Sequence, residues 1–383
     1  MSTLFVTPND YIDPQARGGV QQCTHDYLKT LIAAGAEPQI ASFDIDQAFL
    51  TRVGRRLSPR PFAYQVPRAF QASVVERCRR LKTTTVFLNN SVSSALAPAL
   101  RQALSDDVRI VLLSHGVEHT DVVNALRVDP GGVPRHMRAP TWLGQMILQE
   151  MKQRQSLDLV LCMSEEDVLV EKWLGARACL YLPRTVEVAP MSWRPQADRL
   201  GYVGTLNHGP NVDGLRQLAS ALTGVDGVVL RVVGGPVEAG DRLQREFRNI
   251  RHLGRLSDDA LLAEASTWSA LTNPMFCQAR GASTKVATAL GWGVPVATTV
   301  EGARGYRWDD ELLPLAQNPP GLARLCVEIS RGDKAEWGRR AVAIRSLSPT
   351  FEECGQRVAD ALTALPGVGR WHESSGQPRD TRK

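Results

Sequence analysis

The chain has 383 residues, more than one ordinary domain holds and enough for two of about 150–200 residues each. Apolar residues make up 43% and charged residues 22%, the balance of a soluble globular protein, and no run approaches the ~18 apolar residues of a membrane span. The net charge of +5 is modest and comes with no nucleic-acid motif, so nucleic acid is not expected as a partner.

The opening MSTLFVTPND lacks a basic n-region, and no secretory signal is expected. Within it, Thr3–Pro8 reads as a buried strand. Val20, Tyr27, Leu28, Leu31 and Ile32 recur at helical spacing, which predicts a helix from about Val20 to Ala33, stopped by Gly35 and followed by a strand to Phe43. Basic residues cluster at Arg52, Arg55, Arg56 and Arg60, then at Arg77, Arg79, Arg80 and Lys82. A solvated face is the plain explanation; an anionic membrane surface or an acidic substrate is the alternative. Further strands are predicted at Thr85–Asn90, Val108–His115, Leu157–Ser164 and Ala178–Pro183, with helical stretches between them. In one of those stretches Trp142, Leu143, Met146, Ile147 and Met151 form a packing face, with lipid contact as the alternative. Strands apolar on both faces and separated by helices predict a parallel sheet covered on both sides.

Arg184 to Asp198 holds Pro190 and Pro195 and no period, as an interdomain linker does. The alternation then restarts. Strands are predicted in RLGYVG, Val228–Gly235, IRHLG, WSALTNP and Pro295–Thr299; helices start at about Asn211, Ser257 and Ser283. After Asn318 the chain reads as helical to about Leu365, and the polar remainder reads as a mobile tail. The seven cysteines are scattered without a C-x-x-C pair, which speaks against a disulfide framework or zinc site and fits a reducing cytoplasm.

Two stretches carry chemistry. GYVGTLNHGPNVDGL (Gly201–Leu215) runs from a buried strand through Gly204-Thr205 into a helix opened by Pro210. Ligands of open parallel sheets bind at such carboxyl ends, near the switch in strand order. The second, Asn273–Gly305, places Gly281-Ala282-Ser283-Thr284 before an apolar helix. Small residues admit a ligand to the backbone, and first-turn N–H groups have no partner inside their helix. Lys285 stands in that first turn, where a cation opposes the helix dipole; a bound diphosphate would reverse the penalty.

These stretches, with HLGRLSDDALLAEAS between them, resemble the donor-binding half of GT-B glycosyltransferases, and specifically glycosyltransferase family 4, the glycosyl transferases group 1. Gly18-Gly19, LSHGVEH and EMKQRQSLDLVLCMSEED extend the resemblance into the first half. It implies two Rossmann-like parallel-sheet domains facing across a cleft. Residues 1–190 would hold the acceptor and 191–345 the nucleotide-sugar donor. A helix over 346–365 would cross back to the first domain, and 366–383 would trail as the tail. Gly18 and Gly19 would close over donor and acceptor. Gly204, Thr205 and Asn207 would line the donor loop, the first two under the diphosphate; Leu253, Gly254 and Arg255 would line the base. Gly281, Ala282, Ser283 and Thr284 would offer amides to phosphate or sugar oxygens. Lys285 would neutralise the leaving diphosphate, and His115 would touch the donor sugar.

The implied reaction is sugar transfer from a nucleotide diphosphate sugar to a glycan, a lipid-linked or another small acceptor, with retention. It serves surface polysaccharide or glycoconjugate assembly. The hard step breaks the bond between anomeric carbon and phosphate, and preorganised amides plus one cation stabilise the charge that develops. No cofactor or metal is expected, and no D-x-D motif is present. The expected setting is the cytoplasm, with the inner membrane face as a place of peripheral contact. The family's two glutamates are replaced here by Arg280 and Thr288; Thr288 keeps a hydroxyl for a ribose but no carboxylate. Two alternatives stay open: a non-catalytic GT-B-like partner protein and a nucleotide-sugar epimerase of the same fold. A metal site at His115 and His119 lacks a third ligand. Glu118 reads first as a helix-start carboxylate and second as a sugar-hydroxyl partner or base.

Overall fold

The computed structural model describes residues 2–13, 18–45, 65–128, 133–278 and 280–365. Arg52–Arg60 and the C-terminal tail lie outside the described residues.

The first sheet holds β1 (Ser2–Pro8), β2 (Glu37–Phe43), β3 (Thr85–Asn89), β4 (Arg109–Leu113), β5 (Leu159–Cys162) and β6 (Cys179–Tyr181), in the order β2-β1-β3-β4-β5-β6. The second holds β7 (Arg199–Val203), β8 (Val229–Val233), β9 (Ile250–His252), β10 (Ala270–Asn273) and β11 (Val296–Thr298), ordered β11-β10-β7-β8-β9. All pairings are parallel, as expected for strands buried on both faces. The two-residue period splits the first sheet's apolar side chains cleanly. Phe5, Phe87, Val111 and Leu159 face Tyr27 and Leu31 of the helix Gly19–Ala33. Leu4, Val6, Leu88 and Leu112 face Val74, Cys78 and Leu100 on the other side. The first cluster continues through Leu182, after β6, and Val186 of the linker into the second domain's core around Tyr202, Trp268 and Leu290. In that core a Cβ on Gly201 would lie 1.9 Å from the Trp268 ring, so the strand must carry glycine there.

The segment after Pro183 is irregular, as the prolines require, but not loose. Main-chain N–H groups of Arg184, Ala189 and Arg194 donate to Gly305, Gly291 and Ser266 at 2.8, 3.0 and 2.8 Å. The C-terminal region is helical as expected, in three helices, Pro319–Arg331, Lys334–Ser346 and Phe351–Ala364. The breaks follow from caps. The Asp333 carboxylate accepts from the N–H of Ala335 and Glu336, and Thr350 with Glu353 forms a capping box. The last helix crosses back onto the first domain, where a Cβ on Gly355 would lie 2.6 Å from the Ala33 carbonyl carbon. Arg109 of β4 donates to the Leu362 carbonyl, and the Lys29 ammonium sits 5.4 Å from the Phe351 ring centre.

In each sheet the strand order reverses once, between β1 and β3 and between β7 and β10. The carboxyl ends at these two places carry the site residues.

Candidate functional site

On the second domain, glycines draw three strand ends together. The Gly204 N–H donates to Val233 at 3.0 Å, and the Gly234 N–H to Gly254 at 2.8 Å. Gly234 has φ +147°, and a Cβ there would lie 1.9 Å from the Gly204 oxygen. Gly204 in turn leaves a notch between two polar groups: its missing Cβ would lie 2.9 Å from both the Lys285 Cε and the Tyr202 hydroxyl. The Lys285 ammonium donates to Asn211 Oδ1 at 3.1 Å and lies 5.6 Å from the Tyr202 ring centre. Lys285 is half-buried, and desolvation pushes its pKa down to about 8. The Tyr202 hydroxyl is buried without a hydrogen-bond partner, and burial raises its pKa far above the ordinary value, so it stays a neutral donor. Asn211 ties lysine to loop by donating from Nδ2 to the Thr205 carbonyl at 2.9 Å. The Thr205 hydroxyl is spent on Asn207 Oδ1.

The helix Thr284–Trp292 starts beside this notch. The Val286 N–H turns back to the Ser283 carbonyl at 3.3 Å, and the Ala287 N–H meets the Tyr306 hydroxyl at 3.0 Å. The N–H groups of Thr284 and Lys285 have no acceptor within their own helix and are available to an anion. Ser283 donates to Asn273 Oδ1 at 3.2 Å, which anchors the turn to the end of β10. Gly281 is held at φ +62°, with its carbonyl gripped by Arg304 from Nε at 2.8 Å and Nη2 at 2.6 Å. The Thr288 hydroxyl donates to the Thr284 carbonyl one turn back, at 3.0 Å. It retains only lone pairs for a ribose.

The first domain meets this wall backbone to backbone. A Cβ on Gly19 would lie 3.3 Å from Thr284 Oγ1. Gly116, after β4, has φ +96°, and its Cβ would sit 2.3 Å from the Gly281 nitrogen. A Cβ on Gly281 would lie 2.6 Å from the His115 carbonyl oxygen. Charge crosses the same seam. Arg280 pairs with Glu118 and, at 2.9 Å, with Asp121, both on the helix Glu118–Val128; His208 of the donor loop stands 3.5 Å from Asp121. Burial raises the Glu118 carboxyl, and the Arg280 charge offsets that only in part. Burial would raise Asp121 too, but the His208 hydrogen bond and Arg280 hold it below its ordinary value. Glu118 and Asp121 hold the Arg280 guanidinium charged. Tyr11, after β1, feels the same cluster: burial first and Glu118 second push it to about 12.

His115 is buried at the end of β4, with Nε2 2.8 Å from Asn89 Oδ1 and its ring 5.7 Å from that of Tyr27. Burial, with the charges of Arg280 and Arg184, pushes its pKa to about 3, so the ring is neutral. His119 does not join it; Nδ1 pairs with Glu150 at 2.6 Å. Among the described residues no three His, Cys, Asp or Glu side chains are grouped to hold a metal ion. No described helix is long and apolar enough to cross a membrane.

The structure therefore brings Gly19, His115, Gly204, Gly281 to Thr284 and Lys285 to one seam between the sheets. Gly18 stands just before the helix Gly19–Ala33 as its N-cap. Leu253, Gly254 and Arg255 lie on the outer flank, after β9, and a Cβ on Gly235 would meet the Arg255 Nε at 2.8 Å. Tyr202, Asn211, Arg304, Asp121, Asn89 and His208 join this seam without having been expected there. Asn211 had a visible signal, a polar residue in the first turn of a helix that follows a glycine loop. The others carried none.

Two open parallel sheets that face across a seam lined by strand ends, with a helix crossing back, define the GT-B fold. Residues 197–330 match the family of glycosyl transferases group 1. The second domain thus matches the group 1 glycosyltransferases, and the chain as a whole has the GT-B fold. Similar solved structures include sucrose-phosphate synthase from Thermosynechococcus elongatus, at 16% identity and TM-score 0.64, covering 95% of this chain and 97% of that one. HepE from Anabaena in complex with UDP matches at 16% identity and TM-score 0.59, covering 95% and 100%. The O-GlcNAc transferase of Thermobaculum terrenum, as a mutant, matches at 15% and 0.60, covering 96% and 68%. At such identities the likeness speaks for the fold. No curated protein matches the chain in sequence.

Proposed function

We propose that the protein transfers a sugar from a nucleotide diphosphate sugar to a glycan, lipid-linked or other small acceptor, with retention, as a member of glycosyltransferase family 4. One observation carries the reading: a desolvated ammonium, Lys285, stands beside a glycine notch and an unpartnered buried hydroxyl, Tyr202, at the switch point of the second sheet. A diphosphate is the group that suits all three. It returns a counter-charge to the ammonium, accepts from the hydroxyl, and takes the free N–H groups of Thr284 and Lys285. As the anomeric carbon–phosphate bond breaks, negative charge grows on the β-phosphate oxygens, where these donors would stabilise it. The leaving group is stabilised without a metal or a protein nucleophile. A UDP-bound neighbour of the same fold supports a nucleotide donor. The base would lie toward Leu253, Gly254 and Arg255. The acceptor would enter from the first domain, near Tyr11 and the ends of β1 and β3.

Arg280 in place of a carboxylate belongs to this reading. It holds the first domain through Glu118 and Asp121 instead of contacting the sugar. The test is a thermal-shift panel of nucleoside diphosphates. A nucleotide at a hundredfold over its Kd should add about 2.7 kcal/mol of stability. No shift with any of them would sink the proposal, and isomerised donor formed without acceptor would mark an epimerase.

A further inference from the structure

We infer that Asn89 is a positioning residue: it fixes His115 as the Nε2–H tautomer and leaves Nδ1 as a bare acceptor for a hydroxyl of the transferred sugar. The sugar part rests on the glycosyl-transfer reading; the tautomer part does not.

Asn89 is fully buried at the end of β3. Its Nδ2 lies 2.9 Å from Thr7 Oγ1 and 2.9 Å from Thr24 Oγ1. Both hydroxyls spend their own protons on carbonyls, Thr24 on Val20 at 2.9 Å and Thr7 on Pro8 at 3.3 Å. They can therefore only accept from Asn89, which sets the amide with Nδ2 toward the threonines and Oδ1 toward His115. That oxygen can only accept, so the Nε2 atom 2.8 Å away carries the ring proton. In a neutral imidazole the other nitrogen is then a lone pair.

Nδ1 is buried and has no partner. Tyr27, Arg280 and Arg184, which act on the His115 ring, are committed elsewhere. The Tyr27 hydroxyl donates toward the carbonyls of Ser114 at 2.7 Å and Leu161 at 3.1 Å. Arg280 is paired with Glu118 and Asp121, and Arg184 with Cys23 and Asp26. A buried unmet acceptor beside the seam is what a ligand donor would satisfy. The His115 carbonyl packs against Gly281, next to the amides assigned to phosphate, which is where the sugar of a bound donor would lie. Phosphate and carbonyl oxygens cannot donate to Nδ1; a sugar hydroxyl can.

The test begins with 15N-histidine NMR of the whole protein, with His115 assigned through His115→Gln. The expected pattern is a protonated Nε2 and an unprotonated Nδ1; a protonated Nδ1, or a mixture of both tautomers, overturns the inference. Asn89→Leu is then compared with wild type using UDP and UDP-glucose, ADP and ADP-glucose, and GDP and GDP-mannose. For the pair that binds, the ratio of sugar-nucleotide to nucleoside-diphosphate affinity should fall about tenfold in Asn89→Leu, with the diphosphate alone changed less than about twofold. An unchanged ratio overturns the sugar part. Should Asn89→Leu fail to fold, the wild-type Nδ1 signal decides: it should shift with the sugar nucleotide and not with the diphosphate alone, and no shift overturns the sugar part. Absence of binding by all three pairs would instead sink the glycosyl-transfer reading and leave the tautomer result standing.

Discussion

Lys285 gives the sharpest prediction because its charge is costly while the seam is empty. Its pKa falls from the ordinary 10.5 to about 8. At about 1.4 kcal/mol per pH unit, holding the ammonium charged costs the empty protein about 3 kcal/mol. The sign follows from linkage. A lysine whose folded pKa lies below its unfolded one destabilises the fold while protonated, so the empty protein should gain stability as pH rises from about 8 to about 10.5. A bound diphosphate supplies the missing counter-charge and raises the pKa again. Binding above pH 8 must then take up a proton. At pH 8.5 about three-quarters of the empty protein carries neutral Lys285, so uptake should be about 0.8 proton per nucleotide; at pH 7 it should be close to zero. The phosphate itself titrates near 6 and contributes little at pH 8.5. Isothermal titration calorimetry at pH 8.5, in two buffers of different ionisation enthalpy, reads this number directly. Affinity should fall about tenfold per pH unit above about 8. Absence of proton uptake, or equal uptake in Lys285→Met, would refute the placement of the phosphate at this ammonium.

Three further outcomes are expected. Lys285→Ala should weaken nucleoside diphosphate binding about 10- to 100-fold by calorimetry, and Arg280→Ala far less; equal losses would mean that Lys285 is not the residue set apart for the phosphate. Arg280→Ala should instead cost about 1–3 kcal/mol in urea unfolding, because Glu118 and Asp121 keep their half-buried charges without a partner; adding Glu118→Gln should recover part of the loss, and additive effects would deny the cluster. Tyr202→Phe removes an unpartnered hydroxyl, so the empty protein should be no less stable in the same assay while diphosphate affinity drops about fivefold; unchanged affinity would remove Tyr202 from the site.

The fold was legible because its signals are local. Strands buried on both faces, such as Thr85–Asn89, alternate with helices, and that pattern states a parallel sheet without a partner in view. The residues of the proposed phosphate wall stood out in the sequence for a similar reason. Glycines at 204 and 281 admit close backbone approach, and Lys285 in a helix's first turn runs against the dipole, so each carried its own mark. What pairs across the seam left no mark. Arg280 finds Glu118 from 162 positions away, and nothing near either residue encodes the other. Tyr202 reads as one more apolar strand residue, since its hydroxyl matters only once Gly204 and Lys285 stand beside it. Asn89 resembles any polar residue closing a strand until Thr7, Thr24 and His115 converge on its amide. The break at Asp333 inside the helical C-terminal stretch left little mark, because a helical period survives short breaks, whereas the caps at Asp333 and Thr350 act on single N–H groups.

The central claim is that the second wall grips a pyrophosphate with main-chain amides and one ammonium. A crystal structure of the protein soaked with a nucleoside diphosphate tests it most directly. The account predicts phosphate oxygens within hydrogen-bond distance of Lys285 Nζ, the Tyr202 hydroxyl and the N–H groups at the start of the helix Thr284–Trp292. A nucleotide bound elsewhere, with Lys285 still on Asn211, would contradict it.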